Sequence, residues 1–190
     1  MSGLFIEDKV FEKVDFSTEK LSRGEYDNCT FINCIFSNLN LSNFSFIECK
    51  FEMCNLSLTK VKNTSFKDVF FKNCKLLGIH FYECDTFLLS LNFEECDLNL
   101  TSFYKLTLKN INFENCKLIE VDFSETNLTN AVFNNCDLKG AIFENTLLEK
   151  ADFRNSHSYS IDPEINRINK AKFSLQGLLG LLGKYNIKVE

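Results

Sequence analysis

The 190-residue sequence has no tryptophan, one proline, two histidines and two methionines. The histidines, His80 and His157, have no nucleophile or paired carboxylate at a telling interval, so general acid–base and triad chemistry have no evident basis. Gly177, Gly180 and Gly183 are not followed by the Lys-Ser/Thr of a phosphate-binding loop. No run approaches the eighteen apolar residues of a membrane span. A basic excess is also missing. The formal charge is -5, which argues against direct, non-specific nucleic-acid binding. Met1 to Val10 carries Glu7 and Asp8 where a secretory leader would be basic and then apolar, so a cytoplasmic protein is expected.

What the chain does contain is 21 phenylalanines and nine cysteines, in one domain's length that is 45% hydrophobic. The phenylalanines keep a period. Every fifth residue from Phe11 through Phe81 is apolar or aromatic. After a two-residue slip the same spacing resumes at Leu88 and Phe93 and continues to Phe153, with Phe or Leu at each step. Chance would fill so many chosen positions about once in 10¹⁰ trials. Five matches neither the 3.6 of a helix nor the 2 of an ordinary strand.

Two residues before each centre lies a slot for small or compact side chains, and all nine cysteines occupy it: Cys29, Cys34, Cys49, Cys54, Cys74, Cys84, Cys96, Cys116 and Cys136. The remaining three places are mostly Asn, Ser, Asp, Glu and Lys. Two residues therefore point inward and three outward. Segments such as Cys116-Lys117-Leu118-Ile119-Glu120 and Ala131-Val132-Phe133-Asn134-Asn135 resemble the pentapeptide-repeat family over about residues 9 to 157. The resemblance implies an all-β solenoid, a right-handed quadrilateral β-helix with one pentapeptide per side and four per coil.

A four-sided coil predicts that like residues recur every twenty. Phe11, Phe31, Phe51, Phe71, Phe93, Phe113, Phe133 and Phe153 do so once the slip is allowed, as do six cysteines from Cys34 to Cys136. In the second half Phe and Leu alternate, which sets Phe on two opposite faces and Leu on the other two. At about 4.8 Å per coil, about seven coils make a rod roughly 34 Å long. The slip at Cys84-Asp85-Thr86-Phe87 reads as a corner bulge exposing Phe87 and Leu89.

The expected division is a β-helix over 1–158 and a cap over 159–190. The repeat fails after Ser156, and Pro163 marks the chain leaving the coil. Ser174 is placed to cap a helix whose Leu175, Leu178, Leu179 and Leu182 form one apolar stripe, with Gly183 to end it. Tyr185, Ile187 and Val189 then alternate as a short strand. The quinolone-resistance branch of the family is similar in ending with a helix and strand that join two rods. That resemblance implies a homodimer through Leu178, Leu179, Leu181, Leu182 and Tyr185.

The cysteines read as core residues and free thiols, not as metal ligands or disulfide partners, because their spacing is that of the repeat. A packed rod leaves no enzyme-sized cleft, so no enzyme activity, metal or cofactor is expected. The resistance branch looks like duplex DNA in width and charge, which implies binding to DNA gyrase or topoisomerase IV as a DNA mimic. Residues 1–158 carry 16 basic and 23 acidic groups. About 34 Å of duplex would hold about 20 negative charges, so the mimicry is thin. The large loops of that branch are absent, which puts quinolone protection in doubt. The acids nominated for such a partner are Glu94 and Glu114. The alternative is a protein-binding scaffold that uses an outward apolar face: Ile35, Leu58, Leu77, Leu100 and Ile119.

Overall fold

The computed structural model describes residues 4–185, 187 and 188. Among these residues are eleven short strands: β1 (Leu4–Glu7), β2 (Val10–Glu12), β3 (Gly24–Asp27), β4 (Thr30–Ile32), β5 (Ser45–Ile47), β6 (Lys50–Glu52), β7 (Ser65–Lys67), β8 (Val69–Lys72), β9 (Leu91–Glu94), β10 (Asn112–Glu114) and β11 (Val132–Asn134). They form two wholly parallel sheets, β1-β3-β5-β7 and β2-β4-β6-β8-β9-β10-β11. Single-residue pairings continue the other sides, as in the column Asp15, Ile35, Asn55, Lys75, Asp97, Lys117, Asp137 and His157. The result is the expected four-sided β-solenoid of about seven coils.

Register follows the twenty-residue columns. Phe31 pairs Phe51 and Phe51 pairs Phe71, and across the slip Phe71 pairs Phe93. The rings stack, with centroids 4.7 Å apart for Phe31–Phe51, 5.0 Å for Phe51–Phe71 and 5.3 Å for Phe71–Phe93. Phe from the opposite face meets this column edge-on, as in Phe103–Phe113 at 6.1 Å and 69°. Offset stacks along the axis and edge-to-face contacts across it are both favourable aromatic geometries, so one narrow tube satisfies both.

The compact slot has a physical reason beyond size. Its side chain donates to the carbonyl of the central residue one coil earlier: Cys54 Sγ to Phe31 at 3.3 Å, Cys74 Sγ to Phe51 at 3.3 Å, Thr64 Oγ1 to Leu41 at 2.7 Å. Cys and Thr recur there because each fills a small space and carries one donor. All nine cysteines are buried and free.

Most corners turn on a left-handed residue two places after the centre, such as Asn33 (φ 54°), Asn115 (φ 54°) and Asn130 (φ 58°). Asparagine is the commonest because its short amide tolerates this conformation. Consecutive corner amides also stack, with Asn135 Nδ2 donating to Asn115 Oδ1 at 2.8 Å.

Five expectations need correction, two of them (Leu88 inward and Leu89 exposed) at the slip. Leu88 is not an inward centre: it sits at a left-handed corner (φ 57°) and is 65% exposed beside Phe87 at 66%, while Leu89 packs against the core. The inward frame resumes with Leu91, buried in the compact slot two residues before Phe93. Coil pairing does not stop at Ser156. Leu147 pairs Arg167, Asp152 pairs Lys172, and Phe173 stacks on Phe153 at 5.4 Å. The pentapeptides Asn166-Arg167-Ile168-Asn169-Lys170 and Ala171-Lys172-Phe173-Ser174-Leu175 supply that partial coil, and Asn166 Nδ2 donates to the Phe143 carbonyl as Cys and Thr do elsewhere.

The terminal helix is 3-10, over Gln176–Leu181, with a further 3-10 turn at Gly183–Tyr185. Its glycines recur every three residues, the period of a 3-10 helix, and so line one face. A Cβ at Gly177 would sit 1.9 Å from the Tyr159 hydroxyl, and one at Gly180 would sit 2.4 Å from the Tyr159 carbonyl oxygen. Bare backbone is what lets the helix lie on Tyr159, where Ile161 N–H donates to the Gly180 carbonyl at 2.8 Å. Ser174 Oγ accepts the Gly177 N–H at 3.1 Å, the bond expected of a cap. Tyr185 belongs to a 3-10 turn and Ile187 to no strand, so the alternating strand is not formed there; Val189 lies outside the described residues.

Candidate interaction surfaces

Among the described residues the inward rings and thiols belong to one core cluster. Burial pushes the Cys49 and Cys84 thiols up to about 12, and Cys74 and Cys136 are raised by hydrogen bonds from neighbouring thiols and by burial. Such thiols are neutral and poor nucleophiles. Among the described residues, no three His, Cys, Asp or Glu side chains converge on a metal-sized site. Nor, among them, is any helix long and apolar enough to cross a membrane. A cavity of about 420 Å³ lies between Ser156–Ser160 and the glycine face of the 3-10 helix, with His157 exposed at its rim.

Three outer surfaces carry the sequence-nominated residues. The first is the face centred on Phe93. Glu94 and Glu114 are in register on adjacent coils, but Glu94 Oε1 lies 2.6 Å from Lys72 Nζ, and Glu114 Oε1 accepts from Asn134 Nδ2 at 2.6 Å. Lys72 interrupts the acidic column between Glu52 and Glu94. The carboxylates are half-buried and partnered, unlike a free phosphate row.

The second surface is the next face, centred on Phe36, Leu56, Leu76, Leu98 and Leu118. Leu58 is 55% and Leu100 52% exposed, Leu77 and Ile119 are half-buried, and Ile35 is exposed nearer the opposite corner. The backbone places them in consecutive coils: Leu58 N–H donates to the Leu77 carbonyl, Gly78 N–H to Asn99, and Leu100 N–H to Ile119.

The third is the C-terminal helix. Leu178, Leu179 and Tyr185 are exposed and Leu182 half-buried, whereas Leu181 packs on the core. Leu175, at 83%, is the most exposed. Lys184 Nζ bridges Asp162 at 2.8 Å and Glu164 at 2.6 Å, holding both carboxyls below their usual range, and the Tyr185 hydroxyl donates to Glu164. This clasp ties the helix to the preceding turn, a feature the leucine pattern did not signal.

The family model for the pentapeptide repeat region matches residues 25–103 and 88–162. The chain belongs to the pentapeptide-repeat family. Among solved structures, this pentapeptide-repeat protein is similar to trypsin-treated QnrB1, a plasmid-mediated fluoroquinolone resistance protein, at 17% identity and TM-score 0.63, covering 98% of this chain and 100% of that one. It is also similar to HetL of the cyanobacterium Nostoc sp. strain PCC 7120, a pentapeptide-repeat protein involved in heterocyst differentiation regulation. There the identity is 13%, the TM-score 0.65 and the coverage 93% and 90%. At these identities the likeness is one of fold. No curated protein matches the chain by sequence.

Proposed function

We propose that this pentapeptide-repeat protein is a non-enzymatic, cytoplasmic binding rod that acts on another protein through its outer faces. The observation that supports this most is the division of the chain. Inward positions are consumed by packing, and the groups able to recognise a partner stand on flat, regularly spaced surfaces. The partner class suggested by the resemblance is a type II topoisomerase, DNA gyrase or topoisomerase IV, and the fold shared with QnrB1 supports it. The partnered state of Glu94 and Glu114 weighs against a strong DNA mimic. A gyrase supercoiling assay with the purified protein, with and without a quinolone, tests this. Inhibition or protection is expected, and no effect at large molar excess retires the topoisomerase reading.

A second reading, a protein-binding scaffold, is favoured by the apolar strip of Leu58, Leu77, Leu100 and Ile119. Scaffold binding is lost on Leu77→Asp or Leu100→Asp and varies little with salt. Topoisomerase mimicry is salt-sensitive and lost on reversing Glu94 and Glu114. The exposed leucine face of the C-terminal helix supports a homodimer, in which two such faces cover each other.

A further inference from the structure

The slip is an insertion into a side that is otherwise complete. Without Thr86 and Phe87 the chain would read Cys84-Asp85-Leu88-Leu89-Ser90 and then Leu91-Asn92-Phe93-Glu94-Glu95, two regular pentapeptides with Leu88 at a centre. The insertion removes that inward leucine and places Phe87 and Leu88 in water.

Its larger cost is in the backbone. Three bonds join the coil ending at Ser90 to the next one along the regular side centred on Leu76: Asp97 N–H donates to the Cys74 carbonyl, Leu76 N–H to Asp97 and Gly78 N–H to Asn99. The corresponding groups above the insertion are the Thr107 N–H and the carbonyls of Thr107 and Lys109. Among the described residues none of the three has a backbone partner. Asp85 pairs Ser65 and Thr107 pairs Asn127, but Asp85 and Thr107 are not paired with each other. The other three sides of this interface keep their pairing, Phe71 with Phe93, Lys75 with Asp97 and His80 with Ser102. A cavity of about 210 Å³ lies in the gap, lined by residues 89–92 and 107–111.

The inserted chain leans toward the earlier coil. Asp85 N–H donates to the Thr64 carbonyl and Ser90 N–H to that of Phe66, and the Phe87 ring lies 5.6 Å from Lys67 Nζ. The hydroxyl of Ser65, which pairs Asp85, is buried with no partner. The aromatic column of this side, Tyr26, Phe46 and Phe66, ends here, and leucines follow from Leu108. The bulge is therefore bonded to the coil before it and released from the coil after it.

We infer that this gap is a seam dividing the rod into two cooperative units, the coils up to Ser90 and the coils from Leu91, which open separately. In a solenoid each coil is held only by its neighbours, so the interface lacking one side of its ladder is where cooperativity is weakest. The ring pairs Phe71–Phe93 at 5.3 Å and Phe81–Phe103 at 5.0 Å cross the same interface and keep the units joined in the native state. The two extra residues let one half of the rod loosen while the other stays wound. A rod of regular coils would fray from its ends inward.

Native-state hydrogen exchange of the full chain in a urea series, followed amide by amide by NMR, tests this. The reporters are the Lys60 amide, which donates to Leu39, and the Asn127 amide, which donates to Leu106. Amides within one unit are expected to converge on one opening equilibrium, with a step of at least about tenfold in exchange rate across the seam. Deleting Thr86 and Phe87 completes the side, so the two reporters are expected to converge and the Thr107 amide to slow at least about tenfold. A single urea dependence for both reporters in the wild type overturns the proposal. So does a gradual decline from the ends with no step between Phe66 and Leu108. If the deletion variant folds with Thr107 protected and the step persists, the insertion is not its cause and the proposal falls as well. The wild-type series decides by itself should the deletion variant fail to fold.

Discussion

Thr126 Oγ1 donates to the carbonyl of Phe103, one coil earlier, at 2.8 Å. This bond repeats down the rod with Cys as donor, so the slot asks for a compact side chain with one proton to give. Thr126→Val keeps the volume and removes the donor. It is expected to cost about 1 kcal/mol, while Thr126→Cys, which reproduces the neighbours' arrangement, costs less. Thermal or urea unfolding of the two variants checks the order.

Phe113 is fully buried between Phe93 and Phe133, with centroids at 5.5 and 5.2 Å. Phe113→Ala removes two stacking contacts and leaves a cavity, so a loss of about 3 to 5 kcal/mol is expected. Asn115→Ala sits two residues on, at an exposed corner of φ 54°, and is expected to cost only about 1 to 2 kcal/mol from the left-handed backbone. Equal melting temperatures for the two would contradict the inward and outward assignment. Coils touch only their neighbours, so hydrogen exchange in Phe113→Ala is expected to rise most in the adjoining coils.

Leu100→Asn by itself is expected to leave the melting temperature unchanged or to raise it. The change trades an exposed leucine in a left-handed conformation for the residue most common at these corners. A marked destabilisation measured by calorimetry would mean that Leu100 is held by contacts within its own chain.

Gly180→Ala places a methyl group against the Tyr159 carbonyl oxygen and 2.6 Å from the buried Tyr159 ring, neither of which is the free end of a flexible side chain. Release of the 3-10 helix is expected, read as faster exchange of the Ile161 amide that now donates to Gly180. At Gly183 the added Cβ meets Ser160 Oγ at 3.2 Å, so Gly183→Ala is expected to be milder. The proposed homodimer is tested by Leu178→Asp with Leu179→Asp, which leaves that seat intact: sedimentation equilibrium is expected to give twice the chain mass for the wild type and the single-chain mass for the variant, and a single-chain mass for the wild type would overturn the dimer.

Burial raises the pKa of Cys29, Cys49 and Cys84 and pushes Tyr26 up to about 12. The folded state therefore keeps protons that the unfolded chain releases above the ordinary thiol value of about 8.5. The stability due to these groups is whole below that value and declines as pH rises toward 12. A melting temperature flat from pH 7 to 8 and falling at pH 10 is expected, with the thiols unreactive to maleimide at pH 7 until the chain unfolds.

The sequence by itself determined the coil: five residues per side, four sides, the Phe columns and the cysteine slot all follow from one inward stripe that must meet its like every twenty residues. It also marked the slip, because two extra residues break a period that neighbours on both sides enforce. The sequence contained the last partial coil as well, in Asn166 and Ala171-Lys172-Phe173, but Pro163 and the irregular Tyr159 turn hid its phase. Tertiary structure alone decided the rest. Leu88 stands outside, at a corner, because the bulge had to reach the next side of the coil, a matter of chain geometry. The terminal leucines fit an α-helical stripe and a 3-10 period equally well, and the close approach to Tyr159 selected the one that turns three glycines to the same side. Whether Leu58 and Leu100 share a surface depends on which corner each coil brings them to, and that is set by winding, which no local pattern of five residues carries.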